Sequence, residues 1–118
     1  MSIYIKRIYV PPGKSDGTRI LIDRLWPRGV KKEAAKIDLW LKEIAPSHEL
    51  RKWFNHDHEK WKEFKKRYYQ ELEANPESLQ QLTLLMEKGP VTLVFSSREE
   101  TYNNAKALQE YLENSKRM

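Results

Sequence analysis

The chain has 118 residues, 39% apolar and 33% charged, with 22 Lys and Arg against 17 Asp and Glu for a net charge of +5. That length suits one domain over residues 1–118 with its own hydrophobic core, and the composition excludes a disordered or membrane-embedded chain. The absence of Cys closes off thiol nucleophiles, thiolate metal sites and disulfides, while the modest positive excess favours anionic partners.

No run reaches the roughly 18 consecutive apolar residues of a membrane span. Met1-Ser2-Ile3-Tyr4-Ile5-Lys6 also lacks the basic-then-apolar layout of a signal peptide, so a cytoplasmic protein without a membrane partner is expected.

Ile3, Ile5 and Ile8, with Tyr4, Tyr9 and Val10, form a β-branched and aromatic run that Pro11-Pro12-Gly13 closes, which predicts a first strand. Lys14 to Thr18 reads as a turn, its Asp16-Gly17 pair suited to positive φ. Ile20-Leu21-Ile22 is nearly uninterrupted by polar residues, as in a strand buried on both faces at the centre of an α/β sheet. The link between these strands is too short for a crossover helix, leaving an antiparallel pair or a parallel pair with an irregular connection.

Pro27 ends the second strand and Gly29 lets the chain turn away. Ile37, Trp40, Leu41 and Ile44 recur at helical spacing, predicting a helix over Lys32 to Ala45 that Pro46 stops. Ser47 is placed to cap a short helix carrying Leu50, Trp53 and Phe54, and Asp57 to cap the next. That helix, from His58 to about Ala74, aligns Trp61, Phe64, Tyr68 and Leu72 before Asn75-Pro76. Leu79, Leu82, Leu85 and Met86 mark a further helix over Glu77 to Lys88, with Gly89 at its end.

Val91 to Phe95 reads as the third strand, and Ser97-Arg98-Glu99-Glu100 as a capping box opening a last helix with Ala105, Leu108, Tyr111 and Leu112 inward. A polar, frayed tail is expected from Asn114 to Met118. The expectation is therefore a single small α/β domain, with a three-stranded or slightly larger sheet, strands two and three parallel, and about five helices.

Parallel strands two and three would bring their carboxyl ends to one edge, where open α/β sheets bind ligands. Arg24, Trp26 and Arg28 would then face Ser96, Ser97 and the start of the last helix. Arg24 and Arg28 offer planar forks suited to carboxylate or phosphate. The plainer alternative pairs Arg24 with Asp23 or Asp38 and leaves Arg28 exposed. Trp26 suits stacking on a flat ligand or anchoring the loop in the core. Asp23, an acid within an apolar strand, needs a partner such as Arg19, Arg24 or Arg51, or else serves as a general base of raised pKa. Ser97 is better explained as a helix cap than as a nucleophile, since no Gly-x-Ser-x-Gly turn is present.

His48, His56 and His58 surround Asp57 at spacing unsuited to a metal, so none is expected. Only four Gly, and no Gly-rich phosphate loop, argue against a dinucleotide cofactor. The stripe Lys62, Lys65, Lys66 and Arg67 would suit nucleic acid, or be a solvated helix face.

Lys6-Arg7-Ile8-Tyr9, Asp16-Gly17 and Ile20 through Gly29 with its Asp23-Arg24-Leu25-Trp26-Pro27-Arg28-Gly29 core resemble the YeaO-like branch of a bacterial domain-of-unknown-function family. The likeness continues through Trp40-Leu41-Lys42, Ala45-Pro46-Ser47, Leu50 to Phe54, His56-Asp57 and Gly89 to Leu93. It implies a compact intracellular α/β domain and lays family motif positions on Asp23, Arg24, Trp26, Arg28, Arg51, His56 and Asn104. The combined expectation is a small anionic ligand held by Arg24, Trp26, Arg28, Arg51, Ser97 and Asn104, with Asp23 or His56 moving protons if there is catalysis. A nucleic-acid-binding accessory protein and a protein-interaction module are the alternatives.

Overall fold

Ile20, Leu21 and Ile22 are wholly buried, and the sheet is built outward from them. In the computed structural model, which describes residues 2–115, four strands run in the order β1-β4-β2-β3. They are β1 (Ile3–Arg7), β2 (Thr18–Leu21), β3 (Leu39–Trp40) and β4 (Val91–Phe95). Every adjacent pair is parallel. The parallel pairing expected of the second and third apolar runs is present as β2 against β4, from Thr18↔Val91 to Leu21↔Val94.

The orientation that local spacing left open is settled by β4. It inserts between β1 and β2 and pairs parallel with both, so the two early strands are parallel without touching as a ladder. Their link is irregular, with a single 3₁₀ turn over Lys14–Asp16. Gly17, at φ +67°, follows that turn, and a Cβ there would lie 2.1 Å from the Pro90 carbonyl oxygen. Only glycine lets the backbone pass so close to the start of β4 while Thr18 donates to the same oxygen at 3.0 Å.

Sheet alternation divides the interior in two. Ile20, Ile22, Val91, Leu93 and Phe95 face the larger core, which α2 (His48–Phe54), α3 (Trp61–Glu73), α4 (Pro76–Lys88) and α5 (Asn104–Ser115) cover. Leu21 and Val94 face a thin second core with Ile8 and Ala35, closed by Trp26, Val30, Ile37 and Trp40. Tyr68 is fully buried in the larger core and donates its hydroxyl to the Ile44 carbonyl at 2.7 Å, and burial raises its pKa.

The helix expected over Lys32 to Ala45 is absent. A four-residue α1 (Lys32–Ala35) ends at Lys36, whose backbone is left-handed at φ 50°. The chain then adds β3 to the free edge of β2, with Leu41 N–H donating to the Leu21 carbonyl at 2.9 Å. The indole of Trp40 donates to the Asp23 carbonyl at 2.7 Å, and a 3₁₀ turn over Lys42–Ile44 completes the segment. The spacing of Ile37, Trp40, Leu41 and Ile44 suits a helix in isolation, but the unpaired edge of β2 supplies backbone partners that outweigh local propensity.

The capping box at Ser97 is also overturned. Ser97 Oγ accepts from Glu99 N–H at 3.1 Å, closing a turn, and the last helix begins at Asn104. Asn103 takes the capping role, its side-chain oxygen accepting from Lys106 N–H at 2.8 Å. Ser47 does cap α2, its Oγ accepting from Leu50 N–H at 3.1 Å while Glu71 of α3 accepts from the Ser47 hydroxyl and N–H. Asp57 likewise caps the 3₁₀ turn His58–Lys60 that leads into α3. Of the expected frayed tail, Asn114 and Ser115 belong to α5, and residues 116–118 lie outside the described residues.

An ion network fixes the β1–β2 link. Asp16, 6% exposed, accepts from Lys6 Nζ at 2.8 Å, Arg19 Nη1 at 2.6 Å and Gly13 N–H at 3.1 Å. Arg19, 4% exposed, also donates to the Ala35 carbonyl through Nε and Nη2, which ties α1 to β2. Burial by itself raises the Asp16 pKa, but the donors from Lys6, Gly13 and Arg19 outweigh it and bring the carboxyl down to about 2.

Candidate functional site

At the carboxyl edge of the sheet, the loop after β2, the start of α2 and the loop after β4 enclose a half-open cleft of about 1070 Å³. Its floor is Asp23. One carboxylate oxygen accepts from Ser96 N–H at 2.9 Å and Ser96 Oγ at 2.6 Å, the other from Asn104 Nδ2 at 3.2 Å. Among the described residues no cation pairs with it, so neither Arg19, Arg24 nor Arg51 plays the expected partner. Hydrogen bonds from the loop after β4 and from α5 satisfy the acid instead, and they tie these segments to the loop after β2 at the cleft.

Arg24 lines the same wall and donates from Nη2 to the Ala45 carbonyl at 3.1 Å, while its Nε is buried with no partner. Trp26 is both a core anchor and a wall. Its indole N–H donates to the Val30 carbonyl at 2.8 Å, and its ring meets Trp40 edge-on at 5.6 Å. Pro27 is buried beside it, which fixes the loop. Across the cleft, α2 contributes Arg51 and Lys52, and Phe54 and Phe64 supply an apolar floor.

The loop after β4 forms the remaining wall with Ser96, Ser97, Arg98, Glu99 and Tyr102. Glu99 organises it by accepting from Thr101 N–H at 3.0 Å and Tyr102 N–H at 3.2 Å, and from His58 Nε2 at 3.0 Å if that nitrogen is protonated. The Thr101 and Tyr102 amides, aided by His58, lower its pKa. His58 also lies 4.2 Å from the Tyr102 ring. Both carboxylates of the cleft are thus engaged by protein donors. Arg51, Lys52 and Arg98 are exposed into it and have no side-chain partner among the described residues.

Of the residues expected at a ligand site, Arg24, Trp26, Arg51, Ser97 and Asn104 meet in this cleft, as do the proton-transfer candidates Asp23 and His56. His56 is exposed at its rim with a left-handed backbone, φ 56°. Arg28 lies elsewhere. It is exposed beyond Pro27 and outside the cleft lining, and only its carbonyl is engaged, by the Tyr9 hydroxyl at 3.3 Å. Lys52, Arg98 and Tyr102 escaped sequence reasoning. Arg98 and Tyr102 fell inside the segment read as a helix start, and Lys52 sits beside Arg51 with nothing local to single it out.

Among the described residues no three His, Asp or Glu side chains gather where they would hold a metal. The Lys62 to Arg67 stripe is partly neutralised: Lys65 pairs with Glu110 at 3.2 Å, Arg67 pairs with Glu63 at 3.0 Å, and Arg67 also lies over the Trp53 ring. Among the described residues no helix is long and apolar enough to cross a membrane.

Fold and cleft together define a small parallel α/β domain with a cation-lined opening at the carboxyl edge of its sheet. The chain belongs to the DUF488-N3i family, described as the inactive DUF488-N3 subclade, which it matches over residues 2–117. It is 43% identical over 112 residues to the uncharacterized protein YeaO of Escherichia coli K12, covering 95% of this chain and 97% of the relative. It is 36% identical over 110 residues to the uncharacterized protein Rv3073c of Mycobacterium tuberculosis H37Rv, covering 93% and 92%. No solved structure matches the chain.

Proposed function

We propose that the cleft binds a small organic anion of the phosphate or nucleotide kind and that this is the protein's function. The observation that carries the reading is the charge imbalance inside the cleft. Asp23 and Glu99 are consumed by protein donors, whereas Arg51, Lys52 and Arg98 have no counter-charge, so the concave surface concentrates positive potential. A guanidinium pair suits the planar, bidentate geometry of phosphate or carboxylate. The cleft is far larger than an inorganic ion needs, and Trp26, Phe54 and Tyr102 offer apolar surface to a base or sugar.

Binding without turnover accords with the family's description as inactive. Asp23 has both oxygens occupied, and His56 has no partner to orient it as a base. The test is thermal unfolding of the full chain against nucleotides, sugar phosphates and inorganic anions. A ligand at about 100 times its Kd stabilises a fold by about 2.7 kcal/mol. One compound class should raise the Tm of the wild type and of Arg28→Ala, and fail to raise that of Arg51→Ala. A shift that survives Arg51→Ala and Arg24→Ala alike, or no shift with any anion, refutes the reading.

A further inference from the structure

The net charge of +5 is not spread along the chain. Residues 1–38 hold nine Lys and Arg against four Asp and Glu, and residues 39–118 hold thirteen of each. The first segment thus carries the whole excess. Much of it builds the side of the sheet away from α2–α5, over the thin second core. There the segments after β1 and before α1 meet along a shallow groove of about 460 Å³, lined by Tyr9, Val10, Pro11, Pro12 and Lys31 among others.

Arg28, Lys31, Lys32 and Lys36 are exposed in the segment that forms one side of this groove, with no carboxylate partner among the described residues. The local acids offset them only in part: Asp16 is consumed by Lys6 and Arg19, which leaves Glu33 and Asp38 against these four cations. Two aromatic rings stand exposed on the same side. Tyr9 is 50% exposed, with the Arg7 guanidinium 5.1 Å from its ring. Tyr4, 47% exposed, points away from the larger core because its neighbours Ile3 and Ile5 point into it.

We infer that this face is a docking surface for single-stranded nucleic acid, with the cations following the phosphate backbone and Tyr9 and Tyr4 stacking on unpaired bases. Charge complementarity calls for a polyanion, and half-exposed rings beside unpaired cations are the usual pairing for single strands. A duplex hides its base faces and would leave the tyrosines unused. The surface is separate from the cleft and does not depend on an anion binding there.

The experiment is fluorescence anisotropy of a labelled oligothymidylate titrated with the full chain over a series of salt concentrations. Binding should be saturable and weaken linearly in log salt. Reversing three charges (Arg28→Glu, Lys31→Glu and Lys32→Glu) should weaken binding and make the salt slope shallower by about 2, because each single-strand phosphate contact contributes about 0.7. Tyr9→Ala should weaken binding with the slope unchanged. Arg51→Ala in the cleft, and Lys62→Glu with Lys66→Glu on α3, should leave it intact. Circular dichroism of each variant confirms the fold. The inference is overturned by no binding at low salt, by loss with the α3 or cleft variants in place of the triple reversal, or by capture on phosphatidylserine vesicles without oligonucleotide binding.

Discussion

Protonation of Asp16 should loosen this fold. Its carboxyl is held at about 2 against an ordinary value of 3.8. At 1.36 kcal/mol per unit, the ionised form contributes about 2 kcal/mol of stability. The folded value is the lower one, so the contribution is complete above about pH 4 and disappears as pH falls through about 2. Asp16→Asn removes the ionisation while keeping the size of the side chain, and it leaves Arg19 buried without its counter-charge. Urea unfolding followed by Trp fluorescence, at intervals from neutral pH to pH 2, reads the effect directly. The wild type should exceed Asp16→Asn by its largest margin above about pH 4, and that margin should shrink by about 2 kcal/mol at the acid end. A margin that stays constant across the range would show that the network does not hold the carboxylate in its charged form, and the linkage argument would fail.

Gly17→Ala forces a Cβ into the Pro90 carbonyl at a positive φ, and the cost should be about 3 kcal/mol or more, seen as a drop of about 10 °C or more in thermal melts. Tyr68→Phe strands the Ile44 carbonyl inside the core and should cost about 1 to 2 kcal/mol by urea titration, with the fold retained. Ser47→Ala removes the α2 cap and the hydroxyl's bond to Glu71 while keeping the backbone N–H bond to the same carboxylate, for a loss of about 1 to 2 kcal/mol in the same assay; a loss within error would mean that water replaces the cap.

The β2 and β4 strands were legible because Ile20-Leu21-Ile22 is a continuous apolar run and Val91 to Phe95 is broken only by Thr92, and only a doubly covered strand buries every such position. The α2 cap and the α3 stripe were legible for a similar reason: Ser47, and Phe64 with Tyr68 and Leu72, act through neighbours a few residues away. The sheet edge carrying Asp23, Arg24 and Trp26 followed from where β2 had to stop. What the sequence determined by itself, then, was set by short-range spacing. Three features were decided only by the tertiary structure. The segment from Lys32 to Ala45 has a helical apolar period, yet the free edge of β2 turns Leu39–Trp40 into a strand. Ser97 sits in a matching box, yet Glu99 is spent on Thr101, Tyr102 and His58, so the helix waits until Asn104. Asp23 finds Ser96 and Asn104, more than 70 residues away, in preference to any nearby arginine. For Lys32 to Ala45 and for Asp23 the deciding partner is a backbone edge or a side chain distant in sequence, and at Ser97 the distant His58 joins two nearby amides; local propensities of a few tenths of a kcal/mol per residue yield to such partners.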